Sequence, residues 1–568
     1  MAASDASRGI QVPLPLTAQE GWVLLTALGI AVLSGLVWLV LQDAPARKAQ
    51  GENWALSALN TFALMLVPVW FVLFAGVLYG FWRLFSAFDA TLTGEGLRWH
   101  VLAFVGLITA LGALATAPLA MIRVYTTERQ TRVAEQGHMT DRISKAVEQL
   151  GAEKTVKRRV TDGYGKEVTV EETVPNIEVR IGGIYALERI AQDSTANDRG
   201  RDHIRVMELL CAYIRENAPA AMAKDHPFGP WQPLPPGASA AEREAHMQRR
   251  ATRLEDSQVG NWACGLARPR TDIQTALTVI GRRSAEQIAL ERAAVQPGEE
   301  AGYRLDLRHS CLRRADLSSL SLERARFEHA RMEGADLNGA RMEGADLSGA
   351  QMEGADLSRA QMEGAFLFGA QMEGANLRRA QMEGANLSAA QMEGANLSDA
   401  QMERAKLSDA QMEGAKLSGA QMEGANLFGA QMEGADLSGA QMEGADLCFA
   451  QIEGADLSEA QMEGAKLWRA QMEGANLWGA NLIFADLSDW SIARTSLRSA
   501  DLSEAKNLEQ HDVNAAWGDS GTSLPDGIQR PDHWDTETLE HDYVPDLKYL
   551  AWIAAGAPPG KPLPPASP

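Results

Sequence analysis

The stretch Ala335-Asp-Leu-Asn-Gly-Ala340-Arg-Met-Glu-Gly-Ala345-Asp-Leu-Ser-Gly-Ala350-Gln-Met-Glu-Gly-Ala355 decides how this chain is read. Alanine stands at every fifth position, and two residues after each alanine stands Leu or Met. Followed outward, the bulky position recurs through Leu307, Leu312, Leu317, Leu322, Phe327 and Met332 to Leu502 without a slip, which makes 40 units. A period of five suits neither an amphipathic helix nor an alternating strand, and self-similarity at a fixed period predicts a stacked solenoid. Two positions in five point inward, one bulky and one small. They fill a narrow interior that leaves no room for a ligand, and the regular methionines are core filler rather than metal ligands. Exceptions at the small position, Leu305, Ser310, Leu320, Trp490 and Thr495, gather at the two ends, where a solenoid must be capped.

These units resemble the pentapeptide-repeat family, whose consensus is A-(D/N)-L-x-x. Ala335-Asp336-Leu337-Asn338-Gly339 and Ala385-Asn386-Leu387-Ser388-Ala389 fit it directly, and the likeness covers residues 305–504. It implies a right-handed quadrilateral β-helix with four repeats per coil. Forty repeats then make ten coils, a rod roughly 48 Å long at strand-like stacking of ~4.8 Å.

A stricter period of ten, Gln-Met-Glu-Gly-Ala-(Asp/Asn/Lys)-Leu-Ser-x-Ala, overlays the five from Arg331 to Ala480. In a twenty-residue coil, Leu sides alternate with Met sides. Glu333, Glu353 and Glu373 begin one acidic column, expected to face outward. Glu343 and Glu363 begin another on the opposite side. Gln351 through Gln471 form neighbouring ladders whose stacked amides could bond along the axis. Residues 305–504 hold 32 acidic and 17 basic residues, so most of the acidity lies on the rod. Phe368, Phe428, Cys448 and Trp468 differ by multiples of twenty and share a column, with Phe366 and Phe449 beside it. These aromatics, Phe366, Phe368, Phe428, Phe449 and Trp468, are the candidate partner-binding face, because exposed aromatics mark contacts. The opposite Leu side carries Ser358, Ser398, Ser418, Ser438 and Ser458, with Trp478 as its aromatic.

Three uncharged apolar runs precede all this, at about 21–41, 60–82 and 101–122. Each is long enough to cross a hydrocarbon core of ~30 Å. Trp22, Trp38, Trp54, Trp82 and Trp99 stand near their ends, where an amphipathic ring suits the headgroup level. Pro68 and Pro118 lie within spans and would kink them. The first run is too long for a signal-peptide core and has no basic leader, despite the small-residue site Ala44-Pro45-Ala46. Arg123, Arg129 and Arg132 after the third run, with Arg47 and Lys48 in the first loop, place the repeats in the cytoplasm by the positive-inside rule. No ionisable residue interrupts a span, which argues against a transporter or channel.

Between anchor and rod, residues 124–304 read as mostly helical. Apolar stripes run through Met139/Ile143/Val147/Leu150, Ile181/Ile184/Leu187/Ile190, Ile204/Met207/Leu210/Cys211/Ile214 and Ile273/Ala276/Leu277/Ile280, the last with Thr271 as cap and Gly281 as stop. Val156–Val170 alternates around Asp162-Gly163 and predicts a hairpin. Residues 226–258, proline-rich and then highly charged, read as a linker. Val179–Ile190, Arg201–Ile214, Asp272–Arg283 and the tail Leu524–Trp534 resemble segments of bacterial membrane-anchored pentapeptide-repeat proteins, a group with no activity to carry over. The domain plan is therefore a tail (1–20), a membrane anchor (21–123), the helical region (124–304), the solenoid (305–504) and a C-terminal cap with a disordered Pro-rich end (505–568).

A formal net charge of -21 opposes direct nucleic-acid binding. Cys211, Cys264, Cys311 and Cys448 have no metal-ligand or disulfide spacing. His203, His511 and His533 have acids nearby but no nucleophile, phosphate loop or metal spacing, so no catalytic group and no cofactor is expected. The expectation is a non-enzymatic scaffolding or interaction module of a bacterial inner membrane, its partners the bilayer, an unidentified protein and a second copy. The alternative is a DNA-mimicking inhibitor of a type II topoisomerase, which the family resemblance and the acidic columns suggest.

Overall fold

The computed structural model describes residues 72–86, 94–161, 167–197, 200–223, 258–294 and 302–534, with isolated positions 70, 242, 245, 246, 248 and 552. It divides into two compact units, residues 1–138 and 139–568.

The first unit contains helix α1 (Val72–Ser86) and most of helix α2 (Glu95–Leu150). Phe81 packs edge-on to Phe104 at 4.8 Å, and Gly80 lets Leu107 approach its backbone. Among the described residues, one window, Gly96–Ala113, is long and apolar enough to cross a membrane. Its Trp99, Leu102, Val105 and Ile108 are exposed. This reduces the expectation of three spans. The run at 21–41 and the first part of the run at 60–82 lie outside the described residues. The third does not end at 122, because α2 continues without a break into the stripe that begins at Met139.

In the second unit, strands β1 (Glu153–Thr161) and β2 (Glu167–Pro175) pair antiparallel, with Lys157 opposite Glu171 and Arg158 opposite Val170. Helices α3 (Ile177–Asn197), α4 (Arg201–Asn217), α5 (Gln258–Gly265), α6 (Thr271–Gly281) and α7 (Ala285–Ala293) follow. Their apolar stripes meet in a core of Ile184, Leu187, Ile190, Val206, Met207, Leu210, Ile214, Ile273, Leu277 and Ile280. Gly183 permits α3 to cross the end of α2 closely, since a Cβ there would lie 2.8 Å from the Ala146 carbonyl oxygen. Two details correct the sequence reading. Val147 is exposed rather than packed. The N-cap of α6 is Arg270, so Thr271 is the first helical residue. Helix α7, with its Ser284/Gln287 capping box, was not expected.

From Asp306 the chain pairs with itself, parallel, at a constant offset of twenty residues: Asp306 with Arg326, Asp336 with Asp356, and so on to Asp486 with Lys506. Four five-residue sides thus make one coil. Every bulky position from Leu307 to Leu502 is buried, and the alanines beside them are too. Each side ends in a turn closed by a bond such as Ala340 N–H to the Leu337 carbonyl, with a left-handed third residue such as Gly339 at φ 63°. That is the type II signature. It explains why glycine dominates there, and why the other residues that occupy the position carry backbone strain. The Asp/Asn preference has a local cause as well: the carboxylate of Asp346 accepts from the Ser348 hydroxyl (2.7 Å) and backbone N–H (3.1 Å), bracing the turn.

Both ends are closed by the atypical repeats. Pro219 pairs with Ser310, and the Gln274 side chain bonds both backbone groups of Asp316. Leu320 fills the gap left by Gly281. At the far end Trp517 and Ser523 pair with Ser496 and Asp501, helix α8 (Gln510–Ala515) folds over, and Trp534 lies buried with its indole N–H on the Ala516 carbonyl.

Candidate functional site

The interior is filled, so a partner of the rod must meet one of its four outer sides, numbered here by their buried columns: side 1 behind Leu307 and Phe327, side 2 behind Leu312 and Met332, side 3 behind Leu317 and Leu337, side 4 behind Leu322 and Met342.

Side 2 corrects the expectation of two outward acidic columns. Glu333, Glu353, Glu373, Glu393 and Glu413 are all buried, while further up the same column Glu433 and Glu453 are partly exposed and Glu473 is exposed, as expected. Helix α5 lies across their lower part: Ala263 abuts Gly334 and Gly354, and Val259 reaches Gly374. Higher up, the buried His246 ring stands 3.9 Å from Glu413. The segment read as a linker therefore contributes to a cover. At its base Glu333 receives Arg313 (2.6 Å) and Arg331 (3.2 Å). One coil on, burial pushes the Glu353 carboxyl up to about 8, assisted by Glu333 and Glu373. Its Oε2 has no hydrogen-bond partner.

Side 4 keeps the other column. Glu343 and Glu363 are partly exposed. Partial burial and the neighbouring column carboxylates raise Glu343 and Glu383 above the usual range. Phe484, which the sequence reading did not single out, is exposed here. Its signal was available, as an aromatic at the left-handed turn position (φ 61°).

Side 1 carries the aromatics, in two patches rather than one stripe. Phe366 and Phe368 stand exposed on one coil. Three coils further, Phe428, Phe449 and Trp468 form a contiguous cluster, with centroids 5.3 Å and 4.7 Å apart. The Arg469 guanidinium lies over both Phe449 (5.6 Å) and Trp468 (5.7 Å). Cys448 is buried beneath the cluster, and burial together with its bond to Asp446 pushes the thiol up to about 11.

Side 3 is polar. A shallow cavity of about 290 Å³ is lined by Asn338, Ser358, Arg359, Asn376, Arg378 and Arg379, but Arg378 and Arg379 both face Asp399 at 3.4 Å. The expected glutamine amide ladder is not the pattern of inter-coil side-chain bonds, which run instead through pairs such as Asn376 to Asp356. The three histidines do not converge: His203 is buried against Glu291 at 2.7 Å, His511 sits between Glu509 and Asp512, and His533 bonds the Ala516 carbonyl. Among the described residues no cluster of His, Cys, Asp and Glu could hold a metal ion.

The family model described as pentapeptide repeats matches residues 304–479 in overlapping segments. HetL, a pentapeptide repeat protein involved in heterocyst differentiation regulation from the cyanobacterium Nostoc sp. strain PCC 7120, is 32% identical over 39% of this chain and 97% of its own, with a TM-score of 0.34. The chain belongs to the pentapeptide-repeat family. Other pentapeptide-repeat structures are more distant in sequence: Rfr23 from the cyanobacterium Cyanothece 51142 is 26% identical over 27% of this chain and 91% of its own (TM-score 0.11). A further solved structure similar to part of this chain is that of QnrB1, described as a plasmid-mediated fluoroquinolone resistance protein, 17% identical over 36% of this chain and 89% of its own (TM-score 0.18). No curated protein matches.

Proposed function

We propose that this pentapeptide-repeat protein is a non-enzymatic interaction module, tethered to a bacterial inner membrane by its N-terminal apolar segments, whose rod holds a protein partner on side 1. The observation that carries the reading is the Phe428–Phe449–Trp468 cluster with Arg469. These large side chains touch one another in the open, on a rod whose interior already holds the apolar side chains the fold needs. Aromatics with arginine are the composition of interface centres. The membrane part of the proposal rests on the runs at 21–41, 60–82 and 101–122, and the cytoplasmic placement on Arg123, Arg129 and Arg132.

Proximity labelling from the full-length protein in intact cells tests it. Reproducible neighbours should appear in the membrane fraction, and Phe428→Glu with Trp468→Glu should remove some of them. An unchanged neighbour list refutes the assignment of side 1. The DNA-mimic reading retains the half-exposed column on side 4. It is weakened because the Glu333–Glu413 column is covered and Lys406, Lys416 and Lys466 interrupt the acidity.

A further inference from the structure

Side 1 contains a pattern that its partner must match. Across six coils, its three outward positions read Phe366/Phe368/Gly369, Asn386/Ser388/Ala389, Lys406/Ser408/Asp409, Asn426/Phe428/Gly429, Asp446/Cys448/Phe449 and Lys466/Trp468/Arg469. The bulky residues occupy the first coil and the last three. The small ones occupy the coils between.

Turn a second copy upside down about an axis lying in this face, perpendicular to the rod and midway between the Ser408 and Phe428 coils. Each outward column then meets itself in reverse. Phe428 falls on Ser408, Phe449 on Ala389 and Arg469 on Gly369. Phe449, leaning over the buried Cys448, also covers Ser388, and Asp409 meets the Gly429 coil. Trp468 falls on Phe368, and Lys466 on Phe366, an aromatic and a cation–π pairing. Asn386 meets Asp446, and Asn426 meets Lys406, both able to hydrogen-bond. Phe428, Phe449 and Arg469 of one copy each have a small residue opposite and no carboxylate lands on an aromatic ring, but the two Asp409 carboxylates, each lying against its own Gly429, meet beside the axis and weaken the contact. Shifting the second copy by one coil loses this, because Asp409 then faces Phe449 and Asp486 faces Phe366. The match ends where Asp346 would meet Asp486, which limits the apolar part to these six coils.

We propose that the occupant of side 1 is a second copy of this chain, packed antiparallel and isologously in this register. The inference rests on the reading of side 1 as the contact face, and it names the partner. A two-fold axis makes each contact occur twice, the usual economy of a homodimer. Six coils span roughly 29 Å and a side about 10 Å, so the footprint is on the order of 300 Å² per copy. That is well under the ~800 Å² per partner of a stable complex, so the dimer is weak and concentration-dependent.

The test uses the full-length protein with Phe368 replaced by the photoreactive analogue p-benzoylphenylalanine. Within one chain Phe368 and Trp468 are five coils, about 24 Å, apart, so the analogue cannot reach residue 468 of its own chain. Illumination at ~100 µM, where irreversible trapping accumulates even a complex with a dissociation constant of ~1 mM, should give a covalent dimer whose cross-link maps to the segment around Trp468. The same analogue at Ser438, on side 3, should give none. Light scattering should show the unlabelled protein's mass rising with concentration, and Trp468→Asp should keep it monomeric. Absence of the cross-link, a cross-link mapping elsewhere, or equal cross-linking from Ser438 overturns the proposal. If it fails while Phe428→Glu with Trp468→Glu still removes cellular neighbours, side 1 remains a contact face and only the second copy is excluded.

Discussion

Glu353→Gln is expected to make the cover on side 2 indifferent to pH. The Glu353 carboxyl is buried beside α5, with its pKa pushed from the ordinary 4.5 up to about 8, chiefly by burial. A carboxyl whose folded pKa is raised leaves stability fully present below 4.5 and loses it as pH rises through about 8, because the folded site must ionise out of water. A shift of about 3.5 pH units at ~1.36 kcal/mol each sets a ceiling of about 5 kcal/mol. Lifting α5 to hydrate the carboxylate is a cheaper relief, and the cost appears there up to the free energy of that local opening. Hydrogen exchange of the amides of Gln258–Gly265 reads it directly. Corrected for intrinsic rates, wild-type protection should fall between pH 5 and pH 9, and Glu353→Gln, neutral throughout, should hold it level. Protection in the wild type that does not change with pH, or that falls equally in the variant, would refute the assignment of the burial cost to this carboxyl.

Three further substitutions test how the rod is held. Gly334 and Gly364 share a left-handed φ (65° and 63°), yet a Cβ on Gly334 would lie 2.9 Å from the Ala263 carbonyl while nothing lies near Gly364. Gly364→Ala should cost only the backbone term of about 1 kcal/mol, whereas Gly334→Ala should also unseat α5, seen as exchange of its amides. Glu291→Ala strands His203 and Arg283 in the core at the junction of helices and rod. It should lower the unfolding free energy by about 3–5 kcal/mol in chemical denaturation, and a loss under 1 kcal/mol would show that the network contributes little.

The rod was legible because its pattern admits few solutions. Once Ala and Leu or Met recur every five residues without a slip, burial of both positions dictates the interior, while the twenty-residue offset is what the resemblance to the pentapeptide-repeat family implies. The helices at Ile184–Ile190 and Met207–Ile214 announced themselves through the same apolar logic at a period of 3.6. What escaped was what covers what. Glu333 and Glu343 occupy identical places in the ten-residue unit, so no local feature tells that α5 falls on one and not the other. The difference is tertiary: it depends on how Val259 and Ala263, in an eight-residue helix too short to show a repeating apolar stripe, find the glycines of side 2. Arg313, one coil below Glu333 where the repeat has glutamate, was the available sign that this column needed a counter-charge. The aromatic face was visible from spacing alone, but its division into two patches required knowing that Phe449 leans between Phe428 and Trp468.

The agreement between the ten-residue sequence unit and the twenty-residue coil has a consequence for how such a chain can change length. Removing or adding ten residues within the regular stretch maps every Leu onto Leu and every Met onto Met, so the interior registers no error. The stack nevertheless advances only half a coil, and everything beyond the change is turned through half a revolution relative to the cap formed by the helices. A change of twenty restores the phase. The rod therefore behaves as a ratchet with two settings: folding tolerates either, while the cluster containing Trp468 points to one side of the molecule or to the opposite one. Lineages that keep the aromatic face should accordingly vary in whole coils, and an odd ten-residue step should be accompanied by aromatics transferred to side 3.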